Sequence, residues 1–157
     1  MQIKFLIGLG NPDPNLKTTR HNVGHMLVDE FANITKKGWV LKKTNVYMNN
    51  SGKFVKEVLG KSQLKLENLY IAHDDLDLKL GEYKIQFAKG PKDNNGINSV
   101  EEELGSKEFW RIRIGIDNRL SENRTAGEIY VLENFDQSEV QVLNVVLKSI
   151  CKKLVTI

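Results

Sequence analysis

The polar residues that could activate a water molecule lie in three short motifs of the sequence. Asn11 follows the apolar start of the chain, and His21 lies in the motif Thr-Arg-His-Asn. Asp74 lies in an acidic stretch from residue 73 to 77. A histidine can take a proton from water, and an aspartate that accepts a hydrogen bond from its other ring nitrogen fixes the tautomer. Asparagine amides can donate to a developing oxyanion, so the three motifs indicate hydrolysis by an activated water.

Two further asparagines lie in polar segments and could bind a substrate. Asn49 belongs to the motif Tyr-Met-Asn-Asn-Ser-Gly-Lys, and Asn95 ends a polar loop that begins at Lys89. A carboxamide both donates and accepts hydrogen bonds, so it can hold a peptide backbone. The sequence contains no Gly-x-Ser-x-Gly, the turn that exposes a serine nucleophile.

Apolar patterns around these motifs predict the elements that position them. Residues 3–9 form a near-continuous apolar run, which is typical of a strand covered on both faces. Glycines and prolines then predict a loop, and apolar residues from 23 to 34 recur at helical spacing. Thr18 or Thr19 is the predicted N-cap, which places His21 at the start of the helix. The positive end of the helix dipole disfavours imidazolium, so we expect a neutral base there.

The rest of the chain alternates between strand and helix patterns. Lys36 to Gly38 is predicted to end the first helix. The following strands are predicted at residues 39–41, 69–72, 81–88 and 109–116. Helices are predicted after the capping residues Asn50 and Ser51, from residue 97 to 104, and after Ser138. Gln141 completes a capping box with Ser138.

This alternation predicts one α/β domain over residues 1–157. We expect a three-layer sandwich, in which a mostly parallel mixed sheet carries helices on both faces. The acidic stretch from 73 to 77 would lie at the carboxyl end of a strand, where open α/β sheets place their chemistry. The strand at 81–88 is expected to be antiparallel, because only a short turn separates it from the preceding strand.

Composition excludes several classes of protein. With 157 residues, 40% of them hydrophobic and 27% charged, the chain suits one soluble globular domain. No apolar run approaches a membrane span and no signal-peptide region follows Met1, so we expect a cytoplasmic protein, or an organellar one after processing. The one cysteine, Cys151, excludes an internal disulfide and zinc sites with two cysteine ligands, and it falls on an apolar helical stripe. The net charge of +3 is compatible with an RNA partner.

Three other interpretations of the same motifs can be compared with hydrolysis by water. Gly8 and Gly10 resemble part of a dinucleotide fingerprint, but Asp13 occupies the third glycine position. His21 and His25 have the spacing of a zinc-binding helix, but the required glutamate at position 22 is an asparagine. The aspartates of the acidic stretch could instead hold a metal in a phosphoesterase, an alternative that chelator sensitivity would distinguish.

In their order along the chain, the motifs resemble those of the bacterial peptidyl-tRNA hydrolases. The matching pieces cover most of the chain and are residues 8–12, 19–24, 47–53, 72–77, 95–96 and 111–116. The resemblance implies a monomeric α/β sandwich that acts on peptidyl-tRNA without a metal, a cofactor or a membrane partner. The implied reaction cleaves the ester joining the peptide to the 3′ end of the tRNA, which releases the tRNA for reuse in translation.

The resemblance also implies a role for each matching residue. His21 would be the general base, and Asp74 would hold and polarise it. Asn11 would help position the water and the substrate, and help reject aminoacyl-tRNA with a free amine. Substrate would contact five residues, namely Leu16, Tyr47, Met48, Asn49 and Asn95. Lys84 and Arg113 lie on the polar faces of two predicted strands and would contact tRNA phosphate, for which a guanidinium offers bidentate contacts.

The sequence departs from the family pattern at four positions near the predicted site. Leu16 stands where the family usually has a tyrosine, and Gln86 stands where it has a second basic residue. Asp93 and Asn94 replace a glycine and a histidine before the Asn-Gly pair. We therefore expect differences in the backbone and the electrostatics of the substrate groove.

The chain is also shorter than the family pattern. The segment before Met48 is compressed and the chain stops at Ile157, so we expect a more open groove that holds substrate more weakly. These departures leave one alternative of another class, an RNA-binding relative that has lost hydrolysis. The retained His21 and Asp74 argue against it, because RNA binding alone needs no such pair.

Overall fold

The computed structural model describes residues 2–34, 37–122 and 124–157. These residues contain five strands, β1 (Lys4–Gly8), β2 (Trp39–Lys43), β3 (Leu69–Lys79), β4 (Tyr83–Phe87) and β5 (Trp110–Asp117). They also contain the helices α1 (Val23–Ala32), α2 (Ser51–Gly60), α3 (Asn95–Leu104), α4 (Gly127–Tyr130) and α5 (Gln137–Val155). The predicted end of the first helix at Lys36 lies outside the described residues.

The strands form a mixed sheet in the order β2-β1-β3-β5-β4. β1 is parallel to β2 and β3, and β3 is parallel to β5, whereas β4 is antiparallel to β5. The predicted mostly parallel sheet is therefore confirmed. The strand predicted at residues 81–88 is antiparallel as expected, but it pairs with β5 and not with β3, which precedes it.

Helices cover both faces of this sheet. α1 and α5 pack on one face together with Leu6, and α2 and α3 pack on the other with Phe5 and Ile7. The side chains of β1 thus enter two apolar cores alternately, which explains the near-continuous apolar run in its sequence. This arrangement is the predicted three-layer sandwich. No helix in the described part of the chain is long and apolar enough to cross a membrane.

β3 extends beyond its predicted end, and the extension matters for the site. Its partner β1 ends where Gly8 pairs with Ala72, but β5 continues to pair with β3 as far as Asp117. Asp74 therefore lies inside a strand, just beyond the carboxyl end of β1. The predicted end at Ala72 was wrong, because backbone pairing with β5 continues where the apolar run stops.

The start of α1 also differs from the prediction. α1 begins at Val23, and a 3-10 turn from Arg20 to Asn22 precedes it. Thr19 occupies the N-cap position of that turn, but its hydroxyl donates to the carbonyl of Leu16 at 2.7 Å and does not cap the turn. His21 is therefore a residue of the turn and not of the α-helix.

α5 begins two residues earlier than predicted and with a different cap. Asp136 and Glu139 form the capping box, each side chain accepting from the backbone N–H of the other. The prediction of Ser138 as the capping residue was wrong. Cys151, on the predicted apolar stripe of α5, is buried in the core, whereas Val142 on the same helix is 41% exposed.

Candidate active site

A histidine and an aspartate meet at the carboxyl edge of the sheet. Nδ1 of His21 lies 2.7 Å from Oδ2 of Asp74. The 3-10 turn is tied down where the backbone N–H of His21 donates to the carbonyl of Val131 at 2.8 Å. Asp74 is only 2% exposed, so solvent screens its charge little. The structure thus brings together the two residues that the sequence predicted as the base and its orienting acid.

The pKa of His21 shifts in the direction opposite to the prediction. Burial by itself lowers this pKa, but the charge of Asp74 and its hydrogen bond raise it, and the net pKa lies above the ordinary 6.5. The expected lowering by the helix dipole was wrong. α1 begins only at Val23, and a dipole effect fades within one turn, whereas the carboxylate is in direct contact.

Asn94 extends this pair on the side away from the histidine. Its Nδ2 donates to the carbonyl of Asp74 at 3.0 Å and approaches the Oδ1 atom of Asp74 at 3.3 Å. Its Oδ1 accepts from the backbone N–H of Ile97 at 3.0 Å, so Asn94 also caps α3. The sequence motifs did not predict this role of Asn94. An asparagine just before a predicted helix was the available signal, because asparagine is a favoured N-cap.

The backbone of Asn11 is held by the residue that follows His21. The N–H of Asn11 donates to Oδ1 of Asn22 at 2.7 Å, and Nδ2 of Asn22 donates to the carbonyl of Asn11 at 3.0 Å. Asn22 is buried. The side-chain amide of Asn11 makes no hydrogen bond to the described residues, so it remains available to a ligand.

A cleft of about 460 Å³ opens beside His21 and Asp74. Apolar side chains form part of its wall, and two carboxylates, Asp93 and Glu128, lie at its edge. Of the five predicted substrate residues, only Asn95 is among the described residues that line this cleft. The apolar part of the wall consists of Leu76, Val131 and Leu132.

The other predicted substrate residues lie in two nearby turns. Tyr47 is 59% exposed and Asn49 is exposed, whereas Leu16 is half-buried in its own 3-10 turn. Met48 is buried in the core with α2 and α3, and its predicted contact with substrate stays a prediction. The turn is tied to α3 by Ser99, whose hydroxyl donates to the carbonyl of Asn49 at 2.9 Å.

The two predicted phosphate contacts differ in exposure. Lys84 and Arg113 are paired in the β4–β5 register and share one face, and Lys84 is exposed. Arg113 is only 8% exposed. Its Nε donates to Asp75 at 2.7 Å, and one terminal nitrogen donates to Gln86 at 2.8 Å. Neighbouring strands thus supply partners that cover most of the Arg113 guanidinium, and its contact with tRNA phosphate stays a prediction.

The three aspartates of the acidic stretch take different partners. Asp74 contacts His21, and Asp75 contacts Arg113 on the opposite face of β3. Oδ2 of Asp77 accepts from a backbone N–H at 3.3 Å. No group of three metal-ligating side chains occurs in the described residues. The geometry therefore gives the metal-dependent phosphoesterase interpretation no converging ligand set.

A buried arginine anchors the turn that carries His21. Arg20 donates to Glu139 at 2.8 Å and to the carbonyl of Tyr130 at 3.1 Å, and its guanidinium lies 3.8 Å from the centre of the Tyr130 ring. It also forms an ion pair with Glu133. These contacts join the turn to α4 and α5. The sequence did not predict this network, because isolated charged residues usually lie on the surface.

Comparison with known proteins identifies relatives of this chain. A family model described as peptidyl-tRNA hydrolase matches residues 5–157. The peptidyl-tRNA hydrolase of Geotalea uraniireducens is 35% identical, over 89% of this chain and 82% of that protein, and the one from Aquifex aeolicus is 34% identical, over 94% and 86%. The crystal structure of peptidyl-tRNA hydrolase from Acinetobacter baumannii matches with a TM-score of 0.81 and 27% identity, over 96% of this chain and 86% of that one.

The fold, the His–Asp site and these relatives define a hydrolytic enzyme built on a three-layer α/β sandwich. The chain belongs to the peptidyl-tRNA hydrolase family, as the family model and the curated relatives show. The resemblance inferred from the order of the sequence motifs is thereby confirmed.

Proposed function

We propose that the chain hydrolyses the ester that joins a peptide to the 3′ end of tRNA, using a water activated by His21. The observation that carries the proposal is the 2.7 Å contact between His21 and Asp74 beside an open cleft. The names of the relatives support peptidyl-tRNA as the substrate, since these proteins are called peptidyl-tRNA hydrolases.

The contact supports a defined path for the proton. Because Asp74 accepts from Nδ1–H of His21, the basic nitrogen is Nε2, which takes a proton as the water oxygen attacks the ester carbonyl carbon. The tetrahedral intermediate then collapses, and the bond from that carbon to the ribose oxygen breaks. The imidazolium returns its proton to the leaving oxygen. Between these steps Asp74 stabilises the charged ring.

The carboxamides would bind the ester and the peptide. The amide of Asn11 makes no hydrogen bond to the described residues, and Asn95 lines the cleft, so both can donate to an oxyanion or a peptide carbonyl. Asn49, Tyr47 and Leu16 would contact substrate at the adjacent turns. Met48 would act from beneath, by supporting the start of α3.

The charges favour separate places for peptide and phosphate. Asp93 and Glu128 lie at the cleft and would repel a phosphate, so the cleft better suits the peptide. Lys84 is exposed and forms no ion pair within the described part of the chain, so it is the better phosphate contact. The charge of Arg113 is neutralised by Asp75, and we assign Arg113 a structural role next to Lys84.

We further propose that the enzyme acts as a monomer in the cytoplasm, without a metal, a cofactor or a membrane partner. The family resemblance supports these assignments. Asp74 pairs with a histidine and Asp75 pairs with an arginine. These separate pairs support a reaction without a metal.

One assay tests the proposed function directly. Hydrolysis of N-acetyl-aminoacyl-tRNA is compared with that of the free-amine aminoacyl-tRNA, each with and without a chelator. We expect rapid hydrolysis of the acetylated substrate alone, unaffected by the chelator. Tight tRNA binding without hydrolysis would support the RNA-binding alternative, and loss of activity with the chelator would support a metal enzyme.

A further inference from the structure

The loop that carries Asn11 is held by side chains on two sides. Asn22 binds the N–H and the carbonyl of Asn11, as described above. Thr44 binds both backbone groups of Gly10 in the same way. The N–H of Gly10 donates to Thr44 Oγ1 at 3.2 Å, and that hydroxyl donates to the carbonyl of Gly10 at 3.1 Å. All four backbone polar groups of the Gly10–Asn11 dipeptide are thus bound by two distant side chains.

Thr44 is itself buried and hydrogen-bonded to β1. It directly follows β2, it is buried, and its backbone N–H donates to the carbonyl of Gly8 at 3.0 Å. Its hydroxyl lies 3.1 Å from Nε2 of His25. The single hydroxyl hydrogen is directed to Gly10, so the contact with His25 requires Nε2–H as the donor.

The ring of His25 also packs directly on the loop. A Cβ atom at Gly10 would lie 2.9 Å from three carbons of that ring, so the ring covers the glycine backbone closely. Burial, with the nearby charge of Lys43, lowers the pKa of His25 to about 4, which keeps the ring neutral at physiological pH. Nothing in the proposed proton path uses His25 or Thr44.

We propose that Thr44 and His25 are positioning residues that fix the Gly10–Asn11 loop and thereby aim the Asn11 amide at the reacting ester. This inference rests on the proposed role of Asn11. Glycine has the widest backbone freedom of any residue, so an unheld Gly10 would let the following side chain move. A displacement of about 1 Å in a positioning group can cost about 100-fold in rate.

Three threonine variants test the hydroxyl. Thr44→Val keeps the shape but removes the donor and acceptor, and we expect kcat on N-acetyl-aminoacyl-tRNA to fall on the order of 10-fold or more. Thr44→Ser restores the hydroxyl and should recover most of this loss. Thr18→Val, the matched control, removes a threonine hydroxyl that binds Asn134 on the surface, and should leave kcat unchanged. Equal kcat for Thr44→Val and wild type would overturn the inference.

A double-mutant cycle separates positioning from general support of the fold. In an Asn11→Ala background, Thr44→Val should cause at most about a twofold further loss of kcat, because the effects of two residues that act through one loop are not additive. The same 10-fold loss in both backgrounds would show that Thr44 does not act through Asn11. If Thr44→Val does not fold, His25→Phe replaces it in the cycle, since phenylalanine covers Gly10 but lacks Nε2–H.

Amide hydrogen exchange tests the same inference without an activity assay. Thr44→Val should speed exchange of the Gly10 N–H on the order of 10-fold, while the Leu9 N–H, which donates to Ala72, exchanges as before. Unchanged exchange at Gly10, or faster exchange at both residues, would contradict a local clamp. A wild type that binds tRNA but cleaves no ester would refute the proposed function, whereas the exchange result would still report on the loop.

Discussion

Two adjacent aspartates of β3 form buried pairs on opposite faces of the sheet. Asp74 contacts His21 at 2.7 Å, and Asp75 contacts Arg113 at the same distance. Both carboxylates are 2% exposed. Successive residues of a strand point to opposite faces of the sheet. Asp74 therefore faces the cleft, whereas Asp75 lies on the other face, where it contacts Arg113 of β5.

The difference between the pairs lies in the cation. Histidine exchanges its proton near neutral pH, and His21 borders the cleft, so the Asp74 pair can carry a proton to and from a reacting ester. Arginine stays protonated, and Arg113 is covered by Gln86 and by the backbone near Gly90, so the Asp75 pair is permanent. In the proposed mechanism, the carboxylate of Asp74 serves the reaction, whereas that of Asp75 serves the fold.

The largest expected effect is the loss of the base. His21→Ala should lower kcat by about 10²–10⁴-fold, the usual value of a positioned general base, while tRNA affinity stays nearly constant. Single-turnover hydrolysis and filter binding measure the two quantities. Near-wild-type turnover in this variant would refute the proposed mechanism and remove the functional contrast between the pairs.

The second effect falls on stability. Arg113→Met should lower the free energy of unfolding by about 3 kcal/mol, because it leaves the buried Asp75 carboxylate without an opposite charge. Lys84→Met is the control on the same face, and should change stability by no more than about 0.5 kcal/mol because Lys84 is exposed. Urea unfolding gives both values.

Activity measurements on the same variant refine the comparison. At a temperature where Arg113→Met is folded, a short aminoacyl-nucleotide ester and the full-length tRNA substrate should lose activity equally. A loss confined to the full-length substrate would restore Arg113 as a phosphate contact and make the second pair functional.

The third effect is a shift in the pH profile. His21 must be neutral to act as a base, so activity should rise with pH through a pKa above 6.5. Asp74→Asn removes the charge that raises this pKa and leaves the lowering by burial, so the acidic limb should move to lower pH, with kcat reduced about 10-fold. Asp75→Asn should leave the limb in place, and an equal shift there would remove the distinction between the two carboxylates.

The smallest effect concerns Asn94, which donates a hydrogen bond to Asp74. Asn94→Ala removes both the cap of α3 and the donor to Asp74, whereas Asn94→Ser can keep the cap, since serine is also a favoured N-cap. We expect Asn94→Ala to cost about 1 kcal/mol of stability and Asn94→Ser much less. If both variants lose activity equally, by a few-fold, the donor to Asp74 matters for the reaction. Full activity in Asn94→Ser would limit Asn94 to capping.

Local sequence patterns by themselves determined the layers of the fold and the position of the site. The apolar run of β1 predicted a strand covered on both faces, and the glycines and prolines after it predicted the loop that contains Asn11. The placement of His21 and Asp74 at the carboxyl edge also followed from these patterns, because parallel strands bring their carboxyl ends to one edge. The identity of the family followed from the order of the motifs.

Only the tertiary structure decided which charges are paired. Arg113 and Asp75 are 38 residues apart, and Thr44 and Gly10 are 34 apart, so no local periodicity connects them. The alternation of β5 placed Arg113 on the correct face, but strand order decided that Asp75 and Gln86 would cover it. The raised pKa of His21 has the same origin, because the charge and the hydrogen bond of a carboxylate on β3 together outweigh burial.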